Sequence, residues 1–174
     1  MTEYSLIFVP NPALHAKSQI ITEFGTVLQE LVDNMARVMR QEKGVGLAAP
    51  QLNILQRVIV LEVAQAIERD GESIEAIPLT VLINPEITPL GNDKAEAWEG
   101  CLSIPGYRGY VERWQHISYT AQDINGQSLQ GEATGFHARI IQHEVDHLNG
   151  ILYTDRTDQI ESFIRPEPAY PDRD

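Results

Sequence analysis

The sequence holds a single cysteine, Cys101, in 174 residues. No internal disulfide can therefore brace the fold, and the thiol is left for other chemistry. Cations are scarce, with 13 Lys and Arg against 25 Asp and Glu, a net charge of −12. Nucleic-acid phosphates and anionic lipid surfaces are met by clustered cations, so direct nucleic-acid binding and membrane docking are not expected. No run of about 18 apolar residues occurs, which excludes a transmembrane helix. Met1-Thr2-Glu3-Tyr4 has neither a basic start nor a long apolar stretch after it, so no signal peptide is expected. A lone thiol without an export signal points to the reducing cytoplasm. What is present is a globular composition, 43% hydrophobic and 22% charged. The length suits one domain over residues 1–174 with a sizeable core.

Along the chain, Tyr4 to His15 carries Pro10 and Pro12 and reads as an irregular arm. From Thr22 to Lys43, Phe24, Val27, Leu28, Leu31, Val32, Met35, Val38 and Met39 fall three and four apart, which predicts an amphipathic helix stopped at Gly44 and Gly46. Leu47 to Asn53 reads as a loop. Leu55 to Val63, Leu79 to Asn84 and Ala95 to Ile104 read as strands, the last two separated by Pro85, Pro89 and Gly91-Asn92. Asp70-Gly71 marks a turn. Gly109 to Arg113 and His116 to Gln122 continue the series, and Asn125-Gly126 turns the chain into Ser128 to Ala133. A second helix is predicted over Gly135 to Leu148, buried through Phe136, Ile140, Ile141, Val145 and Leu148 and ended by Asn149-Gly150. Residues 165–174, rich in proline and charge, read as a loose tail. Helix, strands and helix without regular alternation give an α+β fold with mostly antiparallel sheets.

The strongest chemical signal is His143-Glu144-Val145-Asp146-His147, an HExxH pattern expected by chance in about 1% of shuffles of this composition. Residues four apart share a helix face, so His143 and His147 can bind one metal, with Glu144 beside them as general base for an attacking water. A third ligand is needed. The histidine that metzincins place six residues on is Tyr153 here. Glu161 and Glu167 lie downstream, but Glu167 stands between Pro166 and Pro168, a poor helix. Cys101, in Trp98-Glu99-Gly100-Cys101-Leu102-Ser103, offers a thiolate that suits Zn²⁺ or Fe²⁺. An HExxH peptidase using Glu161 is one alternative. Another is a domain that kept the fold and lost its chemistry. Glu99 and Asp146 are candidate partners for the histidines, Glu99 alternatively for Arg113. His15, His116 and His137 have no companion motif.

Three separated motifs, Gly44-Val45-Gly46-Leu47-Ala48-Ala49-Pro50-Gln51, Glu99-Gly100-Cys101-Leu102-Ser103 and Gln142-His143-Glu144-Val145-Asp146-His147, together resemble the peptide deformylase family. The resemblance spans about Pro10 to Asp155. It implies antiparallel sheets around a central metal-binding helix, and hydrolysis of the formyl group from the N-terminal formyl-methionine of nascent chains. It also implies a labile Fe²⁺, replaceable by Zn²⁺ or Ni²⁺. By resemblance, Cys101, His143 and His147 are the ligands and Glu144 is the general base and acid. Gln51 and the N–H of Leu102 would hold the oxyanion, and Gly46 would meet the peptide backbone. Arg108, Phe136 and Ile140 would line or rim the methionine pocket. The partners implied are N-formyl-methionyl nascent peptides, with transient contact at the ribosome. The basic terminal helix by which some bacterial members dock has no counterpart in the acidic, proline-rich residues 165–174.

Overall fold

The computed structural model describes residues 4–165. In chain order the elements are α1 (Thr26–Gln41), β1 (Gly46–Ala48), β2 (Val58–Val63), β3 (Ile67–Arg69), β4 (Glu72–Ile74), β5 (Ile77–Pro89), β6 (Lys94–Cys101), β7 (Ile104–Trp114), β8 (His116–Gln122), β9 (Ser128–Thr134), α2 (Gly135–Leu148) and β10 (Ile160–Ser162). The fold is α+β. One antiparallel sheet runs β1-β2-β5-β8-β9, a second runs β10-β7-β6, and β3 and β4 form a hairpin. Of the expected loose tail, all but Arg165 lies outside the described residues.

The five-stranded sheet lies between the two helices. In β2, Val58 and Val60 join the cluster with α1, while Ile59 and Leu61 join the cluster with α2. Alternate side chains of a strand point to opposite faces, so a strand covered on both is apolar throughout. Helix α1 seats Leu28, Leu31, Val32, Met35, Val38 and Met39 on its side of the sheet. Met35 and Met39 are wholly buried, each worth about 1.5–3 kcal/mol of apolar burial. Residues 22–25 precede the helix rather than extend it, with Gly25 as N-cap. Val27, in the first turn at the edge of the apolar stripe, is 79% exposed, against its expected place on the buried face.

Several strand boundaries differ from the sequence reading. Strand β5 runs through Pro85 because a bulge between Ile83 and Glu86 takes that residue out of the ladder. Asn84 turns the bulge at φ 52. Its amide accepts from Ile21 N at 2.8 Å and donates to Ile21 O at 2.8 Å and Gln122 Oε1 at 2.7 Å. Leu47 and Ala48, expected in a loop, pair with β2 as part of β1, too short a strand to show a period. The single strand expected over Ala95 to Ile104 is two, β6 and the start of β7, reversed at Leu102-Ser103. Asp70-Gly71 and Asn125-Gly126 turn hairpins as expected, and α2 has its expected bounds.

Candidate metal centre

Helix α2 is buried from Ala138 to Leu148, so its polar residues must find partners inside the protein. His143 and His147, one turn apart, face Cys101, the last residue of β6. The ligand atoms of these three side chains all lie within 4.8 Å of one another, and Cys101 Sγ is 3.3 Å from His147 Nε2. His143 Nδ1 is 2.8 Å from Glu99 Oε1. A carboxylate there holds the proton on Nδ1 and leaves Nε2 as the donor atom. One soft thiol and two imidazoles at this spacing suit a divalent transition metal. Glu161 is not brought to the histidines. It lies opposite Arg108 across the β10–β7 ladder and receives its guanidinium at 2.7 Å.

Glu144 lies beside the ligands, and its Oε2 is buried with no hydrogen-bond partner among the described residues. Burial, opposed in part by the His143 imidazole, pushes its carboxyl up to about 7. Burial also holds His147 well below the usual histidine range. It acts the same way on His143, but hydrogen bonds to Cys101 and Glu99 outweigh it and raise that imidazole. For Glu99, burial is outweighed by hydrogen bonds from Arg113 and His143, which keep the carboxylate ionised. Glu99 thus serves both expected partners. Arg113 donates to it through Nε at 2.8 Å and Nη2 at 2.9 Å. Asp146 does not partner a histidine. It projects about 100° round the helix from His147 and takes Arg113 Nη1 at 2.6 Å and Arg156 Nη2 at 2.6 Å.

Gln51 reaches the centre from the short turn Ala49–Leu52. Its Oε1 accepts from Ala48 N at 2.9 Å, which aims Nε2 at Ser103 Oγ, 3.2 Å away, and toward Cys101 Sγ at 3.6 Å. Leu102 follows Cys101 and packs on Gly44, where an added Cβ would meet its Cδ1 at 2.8 Å. Gly46 pairs with Leu61 on β1, the outer strand of the sheet. A Cβ at Gly46 would collide with Glu144 Oε1 and lie 2.9 Å from its Cδ. Gly46→Ala is therefore expected to displace the Glu144 carboxyl and, with Glu144 in its expected role of general base, to lower kcat by about 10², with circular dichroism unchanged. Unaltered turnover would mean that Glu144 has room to move aside.

These groups open on a cavity of about 730 Å³. Phe136, Ile140, Val45 and Leu102 give it apolar wall, and Arg108 also lines it. The Arg108 guanidinium is held between the rings of Trp98 and Phe163, 4.4 Å from each. Arg69 covers the Phe136 ring at 5.0 Å. Outside this site, His116 pairs with Glu132 at 2.8 Å. Arg139, Arg156 and Phe163 carry no role in the sequence reading. The one available signal was Arg139, a cation set among the apolar positions of α2.

A thiol and two imidazoles converging on one point, with a buried carboxyl at the wall of a cavity, define a metal-dependent hydrolase of the HExxH type. The family model for polypeptide deformylase matches residues 4–163, and the chain belongs to that family, metal-dependent enzymes that remove the formyl group from nascent peptides. Peptide deformylase 1 of Nitrosomonas europaea is 42% identical over 162 residues, covering 92% of this chain and 91% of the relative. Peptide deformylase 2 of Pseudomonas putida is 44% identical over 144 residues, 83% of this chain and 80% of the relative. Among solved structures, the plant peptide deformylase PDF1B aligns with a TM-score of 0.81 at 38% identity, covering 91% of this chain and 83% of that one. The class I type b peptide deformylase of Acinetobacter baumannii, solved with Met-Ala-Ser bound, aligns with a TM-score of 0.81 at 33% identity, covering 90% and 99%.

Proposed function

We propose that this chain acts as one catalytic domain whose Cys101, His143 and His147 hold the metal, and whose Glu144, Gln51 and Leu102 carry out deformylation of N-formyl-methionyl peptides. The observation that supports this most is the convergence of the three ligand atoms within 4.8 Å beside Glu144 and Gln51. A divalent ion held by Cys101 Sγ and the Nε2 atoms of His143 and His147 would supply Lewis-acid polarisation and a water acidified toward neutral pH. The thiolate's softness favours Fe²⁺, with Zn²⁺ or Ni²⁺ able to replace it.

Glu144 takes the proton of the attacking water on its carboxylate and returns it to the methionine amine as the C–N bond breaks and formate leaves. Gln51 Nε2, with the N–H of Leu102, donates to the oxygen on which negative charge develops. An extended peptide adds to the free edge of β1 at Gly46, and its methionine side chain lies against Phe136 and Ile140 with Arg108 at the rim. The Met-Ala-Ser held by the Acinetobacter baumannii relative supports a methionyl peptide as the occupant. Nascent chains carrying formyl-methionine place the work in the cytoplasm, in transient contact with the ribosome. No helix of the described residues is long and apolar enough to cross a membrane.

The test is formate release from a formyl-methionyl peptide by the Fe²⁺-loaded protein under exclusion of oxygen. Glu144→Gln keeps the shape and removes the proton acceptor. It is expected to retain metal while turnover falls by about 10² or more. Near-normal turnover in that variant would remove Glu144 from the reaction.

A further inference from the structure

We propose that Arg139 is a positioning residue of the metal centre, acting through Glu99 on His143 and fixing the distance between the two elements that supply the ligands. This rests on the assignment of Cys101, His143 and His147 as ligands. Two of them come from α2 and the third from the end of β6, so the geometry of the centre depends on how α2 is held against that strand.

Arg139 stands one helical turn before His143, between buried Ala138 and Ile140, and is itself 5% exposed. A guanidinium there is stable only if its donors are satisfied and its charge is matched. Nη1 donates to Glu99 Oε2 at 2.8 Å and to Val111 O at 2.7 Å, and Nη2 donates to Ala95 O at 2.7 Å. One side chain of α2 is thereby bonded to a carboxylate and a carbonyl of β6 and to a carbonyl of β7. Arg113 grips Glu99 from the opposite element, but it also serves Asp146. Between them the two arginines fill Glu99 Oε2, so that Oε1 is left for Arg113 Nη2 and His143 Nδ1. Without Arg139, Oε2 loses a donor, the carboxylate can turn toward Arg113, and α2 loses its ties to Ala95 and Val111. Both changes move His143 Nε2 relative to Cys101 Sγ.

The experiment compares Arg139→Met, which keeps bulk without donors, and Arg139→Lys, which keeps the charge but cannot reproduce the fork of bonds. Cobalt(II) is the probe. Its dissociation constant is measured by chelator competition and its thiolate-to-cobalt charge-transfer band by absorption, with near-ultraviolet circular dichroism and Tm recorded alongside. The expected result is a folded Arg139→Met protein that binds cobalt about 10-fold or more weakly with a shifted band, and Arg139→Lys between it and the parent. Should Arg139→Met fail to fold, Arg139→Lys is read by the same criterion. A lowered Tm with parental cobalt affinity and band would assign Arg139 to packing alone and overturn the proposal. Cobalt bound by the parent without a thiolate band would instead fail the ligand assignment beneath it, and the proposal with it.

Discussion

Cys101→Ala is expected to lose bound metal and deformylase activity together. The substitution removes one soft donor and leaves two imidazoles, of which His143 is still held by Glu99 from the other side. Four-ligand zinc sites are worth about 10–16 kcal/mol. One ligand then contributes about 3–4 kcal/mol, and its loss weakens binding by about 10²–10³. Cys101 is only half-buried and the change is small, so the fold should persist. The check is metal content and formate release on the same preparation. Full occupancy in the variant would overturn the assignment of Cys101 and bring Glu161 back into question.

The second large effect concerns the substrate. Formyl-methionyl peptides are expected to exceed acetyl-methionyl peptides of the same sequence by at least about 10³ in kcat/KM. In the proposed mechanism the acyl carbon lies between Glu144 and the donors of Gln51 and Leu102. Its remaining substituent is hydrogen in formyl and methyl in acetyl. The adjoining wall has little slack. Gly46 lies in contact with the Glu144 carboxyl, and the Leu102 side chain presses on Gly44. An apolar pocket alone discriminates a methyl by about 1–3 kcal/mol. Here the displaced methyl also takes the carbon off its line of attack, so the loss should fall on kcat as well as KM. A ratio near unity would mean that the wall is open and that selectivity for formyl arises elsewhere.

What could be read in advance was whatever has a local signature. Helix α2 shows its period and its stop, HExxH shows the two histidines that the fold brings together with Cys101, and the resemblance points to Cys101 and Gln51. What could not be read was what depends on distant parts of the chain meeting. Arg139 looks like a surface residue in sequence, yet it is buried because its charge partner Glu99 is buried with it, and Arg113, expected only as a partner for Glu99, also binds Asp146. Pro85 looked like a strand end, and only the bond between Asn84 and Ile21 shows how the strand passes it. Asp146 neighbours the histidines in sequence, whereas helix geometry turns it to Arg113 and Arg156.

Strand β1 has three residues, all buried, at one end of its sheet. A sheet edge is a standing invitation to other copies of a chain, and long flat edges seed aggregates. An edge this short and recessed offers too few hydrogen bonds to recruit a neighbouring sheet, while the proposed substrate needs only a few from it. At the far side, β9 carries Gln130, Glu132 and Thr134, polar residues that blunt its longer edge. The same brevity that hides β1 from any periodic pattern thus lets the proposed docking edge persist at high protein concentration without becoming a template for precipitation.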